Sequence, residues 1–202
     1  LQKEQTMNDL LGTLSQQVGG QAARQISRQL GTDVATTESA INAALPMLLG
    51  AISRNAATAE GAKSLNKALD QHDGSVLDDL LAVVNSQDKV NDGAKILGHV
   101  FGGKQANVQQ GLSQMSGLSA DNSAQLLAML APVVMGALGQ TKRTSGLDAD
   151  GLATLLGGQR AGIDSSLGGL TKFLDFDGDG SIVDDVMDMG TKVLGGLFGK
   201  KA

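Results

Sequence analysis

The sequence predicts an all-α protein: two tandem repeats of short helices, each with a proline inside its central helix. Three observations carry that expectation. Apolar residues recur at helical spacing, alternating strand-like patterns are scarce, and one segment returns 86 positions further along the chain. The 202 residues are 41% hydrophobic and 18% charged, a balance that supports a packed core and argues against disorder.

Taken in order, Met7, Leu10, Leu11, Leu14 and Val18 fall on one helical face. Ile163, Leu167, Leu170 and Leu174 make a second stripe, and Ile182, Val186, Met189, Val193 and Leu197 a third. Spread over the chain, such stripes predict roughly eight to eleven short helices. The longest uncharged stretch runs from Asn122 to Thr141, with an apolar centre from Leu126 to Gly139. That centre is shorter than the roughly 20 residues a bilayer requires and suits a buried helix, so no transmembrane segment is expected. No secretory signal is evident, and a bacterial cytoplasmic setting is the expectation. A chain that starts Leu1-Gln2-Lys3 leaves open what preceded it.

The repeat aligns Gly31–Ser53 with Gly117–Gly139 without gaps. Ile41, Leu45, Leu48 and Ile52 match Leu127, Ala131, Val134 and Leu138. Pro46-x-x-x-Gly50-Ala51 matches Pro132-x-x-x-Gly136-Ala137, and upstream Val18-Gly19-Gly20 pairs with Phe101-Gly102-Gly103. A proline inside an apolar stripe removes one hydrogen bond and clashes with the preceding turn, so each central helix is expected to kink or restart there. A third copy begins near the end, where Lys192-Val-Leu-Gly-Gly-Leu-Phe-Gly-Lys-Lys201 echoes Lys95-Ile-Leu-Gly-His-Val-Phe-Gly-Gly-Lys104. The expected modules are therefore 1–92 and 93–190, with 191–202 as a partial third repeat or amphipathic tail. Gly98 and Gly102, like Gly195 and Gly199, have the spacing of close helix–helix contacts.

Composition narrows the function classes. There are four Phe and no Tyr or Trp, which removes stacking platforms for nucleic acid and aromatic-lined pockets. Without Cys there are no disulfides, thiolate nucleophiles or Cys-ligated zinc sites. A net charge of −5 disfavours a phosphate-backbone partner.

The most informative motif is Asp175-Phe-Asp177-Gly-Asp179-Gly180-Ser181-Ile-Val-Asp184-Asp185. Three carboxylates at alternate positions, then Gly, open an EF-hand-type loop, because Ca2+ takes six to eight hard oxygens near 2.4 Å. Asp175, Asp177, Asp179, Ser181 (through its carbonyl), Asp184 and Asp185 are the expected ligands. The loop departs from the pattern at its twelfth position, Val186, where a bidentate acid is usual. The bland reading is a helix cap, since Ser181-x-x-Asp184 is also a capping box. The first module carries a shorter version, Asp70-Gln-His72-Asp73-Gly74-Ser75-Val-Leu-Asp78-Asp79, one carboxylate short of the calcium pattern and readable as a cap through Ser75-x-x-Asp78.

Other motifs point to no chemistry. Ser64-x-x-Lys67 has acyl-transfer spacing, but Ser86-x-x-Lys89 repeats it by chance and no companion motif follows. His72 and His99 lack partners at metal-ligand spacing. Gln25–Ile41 has the cadence of a helix-turn-helix, yet its reading helix would offer Thr36, Thr37, Glu38, Ser39 and Asn42 without Lys or Arg, and only Arg24 and Arg28 lie near. No Gly-rich phosphate cradle is present.

The segment Leu30–Pro46, its copy ending at Pro132, and the closing Leu194-Gly-Gly-Leu-Phe-Gly199 resemble the YidB-like bacterial family of unknown function. The resemblance implies small all-helical modules, with the Asp-Gly-Asp-Gly-Ser-x-x-Asp-Asp element in longer members, and it implies no reaction. The sequence thus reads as a non-catalytic helical-repeat protein with one calcium loop that orders the C-terminal helix. The alternatives are a self-assembly or protein-interaction module, with a homo-oligomer or protein partner held through the C-terminal apolar helix, and a helix-turn-helix DNA-binding regulator.

Overall fold

The computed structural model describes residues 5–157 in backbone, with side chains from Leu10 onward. The stripes beyond residue 157, the calcium loop Asp175–Asp185 and the partial third copy lie outside the described residues. Within them the protein is all-helical, with no strand: α1 (Gln5–Val18), α2 (Gln21–Leu30), α3 (Val34–Asn55), α4 (Ala59–Leu69), α5 (Leu80–Asn85), α6 (Gln87–Phe101), α7 (Gln105–Ser116), α8 (Ala120–Ser145) and α9 (Ala149–Gly157). Short 3-10 turns at Ser75–Leu77 and Gly102–Lys104 precede α5 and α7.

The two central helices begin in the same way. Gly31 and Gly117 both take left-handed backbone (φ 64° and 79°) at the C-terminal ends of α2 and α7, a conformation that glycine reaches without the Cβ penalty. Asp33 and Ser119 then cap α3 and α8, accepting from the Thr36 and Asn122 amides at 2.8 and 3.1 Å. Thr58 and Asp148 cap α4 and α9 in turn, each accepting from a glycine amide three residues on, Gly61 and Gly151.

Helices α3 and α8 form the core. Leu45, Met47, Leu48 and Leu49 of α3 and Leu126, Leu127 and Met129 of α8 are fully buried, each contributing about 1.5–3 kcal/mol. The apolar side chains of α1–α9 join in one cluster. By length and composition α8 could cross a membrane, but its most apolar stretch is 78% buried among the other helices. It is 26 residues long, well beyond the expected apolar centre, because α6 and α7 sheathe it on one side while α3 packs on another.

Neither central helix restarts at its proline. At Pro132 a neighbouring helix covers the freed backbone group. The missing N–H leaves the carbonyl of Ala128, four residues earlier, without its helical donor. Helix α6 brings Gly93 directly onto that carbonyl, so closely that a Cβ at position 93 would lie 2.8 Å from the Ala128 carbonyl carbon and 3.1 Å from Pro132 Cδ. A Cα–H of the glycine backbone is the neighbour such an approach supplies to a carbonyl. The close-contact glycines include Gly61, Gly93, Gly136 and Gly139, and the expectation for Gly98 and Gly102 is corrected: neither has another atom within 4 Å of its Cβ position. Gly98 lies on the exposed face of α6, and Gly102 lies just past its end in the exposed 3-10 turn.

Contacts between α1–α4 and α6–α9 run in both directions. Helix α3 packs on α8; α3 touches α6, α7 and α9, while α8 touches α1, α2 and α4; and α4 packs on α9. Ser53 of α3 donates its hydroxyl to the Leu156 carbonyl of α9 at 2.9 Å. Gly139 of α8, which the sequence alignment sets against Ser53, meets the chain where α4 ends, with Leu69 O 3.2 Å from its Cβ position.

Candidate functional site

A half-open cleft of about 770 Å3 lies between α4 and α6. Ile52 of α3 and Met135 of α8 form its floor, with Leu65, Ala68, Ile96 and Val100 on the lower walls. The upper walls are polar: Glu60 and Ser64 on α4, His72 after it, and Asp92, Lys95 and His99 on α6. Asp92, Lys95 and His99 share one face of α6 by their spacing. Asn55 closes one end, its amide donating to the Val100 carbonyl at 3.0 Å. The cleft gathers both histidines of the chain, which sequence reading treated as isolated. Their neighbours come from separate elements, so no local motif announces them. Among the described residues, however, no group of three or more His, Asp or Glu converges as metal ligands would.

The acidic loop of the first module is a strut. Asp70 pairs with Lys142, whose ammonium also donates to the Asn66 carbonyl at 2.8 Å. Arg143 donates to the Asp73 carbonyl, with its guanidinium 3.9 Å from the Asp73 carboxylate. Both cations lie in the last turn of α8, where the dipole favours positive charge. Hydrogen bonds from Ser75 hold the Asp73 carboxyl below the usual carboxylate range, with the Arg143 charge adding to them. The expected cap through Ser75-x-x-Asp78 is corrected. Asp79 caps α5, accepting from the Ala82 amide at 2.9 Å, because residues 75–77 are already wound into a 3-10 turn with Val76 lying on Gly136.

The remaining motifs have plain positions. Ser64 lies on the cleft rim and Lys67 on the exposed face of α4. Ser86 is the N-cap of α6, its hydroxyl accepting from Lys89 N, which accounts for the second Ser-x-x-Lys. The helix-turn-helix cadence corresponds to α2 and α3, but α3 is a core helix whose exposed first turns offer Glu38, Ser39 and Asn42. Thr37 is buried, bonded to Thr32 and to the Asp33 carbonyl.

Residues 12–141 match the family model described as "Bacterial protein of unknown function (DUF937)". The chain belongs to this family. No curated protein and no solved structure matches it. The DUF937 match takes in both central helices almost completely and every residue lining the cleft, whereas Asp175–Asp185 lies beyond it.

Proposed function

We propose that this is a non-catalytic helical-repeat protein of the YidB-like kind, in which a four-helix unit was duplicated and only the second copy kept a calcium loop. The observation that carries the duplication is the reciprocity between halves. Helices α1–α4 correspond in order to α6–α9, and contacts from one half to the other recur in the opposite direction. A pseudo-two-fold pairing produces that pattern, because each partner presents the same patch to the other. In this reading Pro46 and Pro132 bend equivalent helices.

The calcium site rests on the sequence of the second loop, Asp175, Asp177, Asp179, Ser181, Asp184 and Asp185, whose carboxylate density suits a hard divalent cation. Bound calcium would fix the turn and order the helix that follows. Calcium in excess of its Kd should then raise the melting temperature through linkage, and Asp179→Ala should remove the response. Equal melting in millimolar calcium and in chelator would overturn the site. One observation favours the alternative in which the second loop, too, is only a cap: in the first loop Asp79 caps α5, while Asp70 and Asp73 meet protein cations. The calcium melt separates the two readings.

A further inference from the structure

We infer that the cleft between α4 and α6 is the docking groove for this chain's own C-terminal amphipathic segment, residues 182–198. The groove has an apolar floor at Ile52 and Met135, apolar lower walls and polar rims, the form that accepts one face of an amphipathic helix. The segment supplies such a face, with Ile182, Val186, Met189, Val193 and Leu197 spaced by four, three, four and four residues.

The path of the chain brings it there. Helix α9 packs along α4, one wall of the groove, and its Leu156 carbonyl is held by Ser53, the neighbour of Ile52 in the floor. The described chain therefore stops at Gly157 beside the groove. Residues 158–181 then intervene, ample length to pass a helix about 10–12 Å wide. On the rims, Lys95 can pair with Asp188 of the segment, and Glu60 or Asp92 with its Lys192. The inference does not depend on calcium, because the acidic loop overlaps the segment only at residues 182–185 and the apolar stripe from Val186 to Leu197 lies beyond it.

The chain has no cysteine, so introduced pairs report without background. In the full chain, Ser64→Cys on the groove wall would be combined in turn with Asp188→Cys, Thr191→Cys and Lys192→Cys, then oxidised at low protein concentration. At least one pair is expected to close within the monomer. A control pair with Gln114→Cys on α7 should stay open. No closure beyond that control, or closure only as disulfide-linked dimers, would overturn the intrachain assignment. Hydrogen exchange gives the second readout. Amides of residues 182–198 should exchange at least roughly tenfold more slowly in the unmodified chain than in Leu197→Asp, in calcium and in chelator alike. Equal exchange in both chains would overturn the docking. Slow exchange in calcium alone would overturn its independence from the cation.

Discussion

Replacing Gly93 by Ala puts the packing of α6 on α8 to a sharp test, because two effects of opposite sign meet at one methyl group. In an exposed helix interior, Gly→Ala stabilises by up to about 1 kcal/mol through helix propensity and loss of unfolded-state freedom. At position 93 the new Cβ would lie 2.8 Å from the Ala128 carbonyl carbon and 3.1 Å from Pro132 Cδ, and closest of all to the Ala128 oxygen. Ordinary carbon–carbon contact is about 3.5–4.0 Å, so the helices must separate by roughly 1 Å or more along their tightest contact. Overpacking of that kind costs about 1–3 kcal/mol and occasionally more, and backbone atoms on both sides leave little room to yield. With backbone on both sides the upper end of that range applies, so about 3 kcal/mol set against about 1 leaves a destabilisation on the order of 2 kcal/mol, or a melting temperature lower by about 4–8 °C for a chain of this size. Gly98→Ala, five residues on in the same helix, meets nothing within 4 Å and should instead raise the melting temperature by about 2–4 °C. Thermal melts followed by circular dichroism at 222 nm measure both. A Gly93→Ala protein that melts at or above the parent temperature would refute the packing described for Pro132.

Other consequences are equally direct. Ser53→Ala leaves the buried Leu156 carbonyl without its donor and should destabilise by about 1–3 kcal/mol, measured by urea unfolding, with faster amide exchange in α9. Ser119→Ala removes the cap of α8 and should cost about 1 kcal/mol, which Ser119→Asp should restore. The Asp33 and Asp73 carboxyls are both held low, the first by the Thr36 hydroxyl and amide, the second by Ser75 and then Arg143. A depressed carboxyl adds stability that is present above its unfolded pKa and disappears as pH falls through the folded one. The melting temperature should therefore decline between about pH 5 and pH 2, and more shallowly in Asp33→Asn/Asp73→Asn. An unaltered slope in the double variant would rule out these two groups as the origin.

What the sequence made legible follows from how local each signal is. The aligned segments Gly31–Ser53 and Gly117–Gly139 stood out because their signal is local, and each holds a stop and a cap within three residues, Gly31 with Asp33 and Gly117 with Ser119, that could have fixed the starts of α3 and α8. The behaviour at Pro132 was not readable, because the group that accommodates the freed carbonyl, Gly93, is 39 positions away and looks like any other helical glycine. The first acidic loop misled for a related reason. Ser75 precedes two acids at capping spacing, but the packing of Val76 on Gly136 winds the turn early and passes the cap to Asp79. The cleft escaped notice because His72, Asp92 and His99 come to line one groove only after α4 and α6 are laid over α3 and α8. The acidic loop Asp175–Asp185, the plainest motif in the sequence, falls outside the described residues.

The order in which α8 acquires its neighbours bears on how the protein is made. A helix greasy enough for a bilayer is a hazard when it leaves the ribosome bare, inviting insertion machinery or aggregation. Here the two helices that wrap it most closely, α6 and α7, come immediately before it in the chain. They have already been synthesised when α8 emerges, so its greasy surface can be shielded by short-range collapse during translation, without waiting for anything downstream.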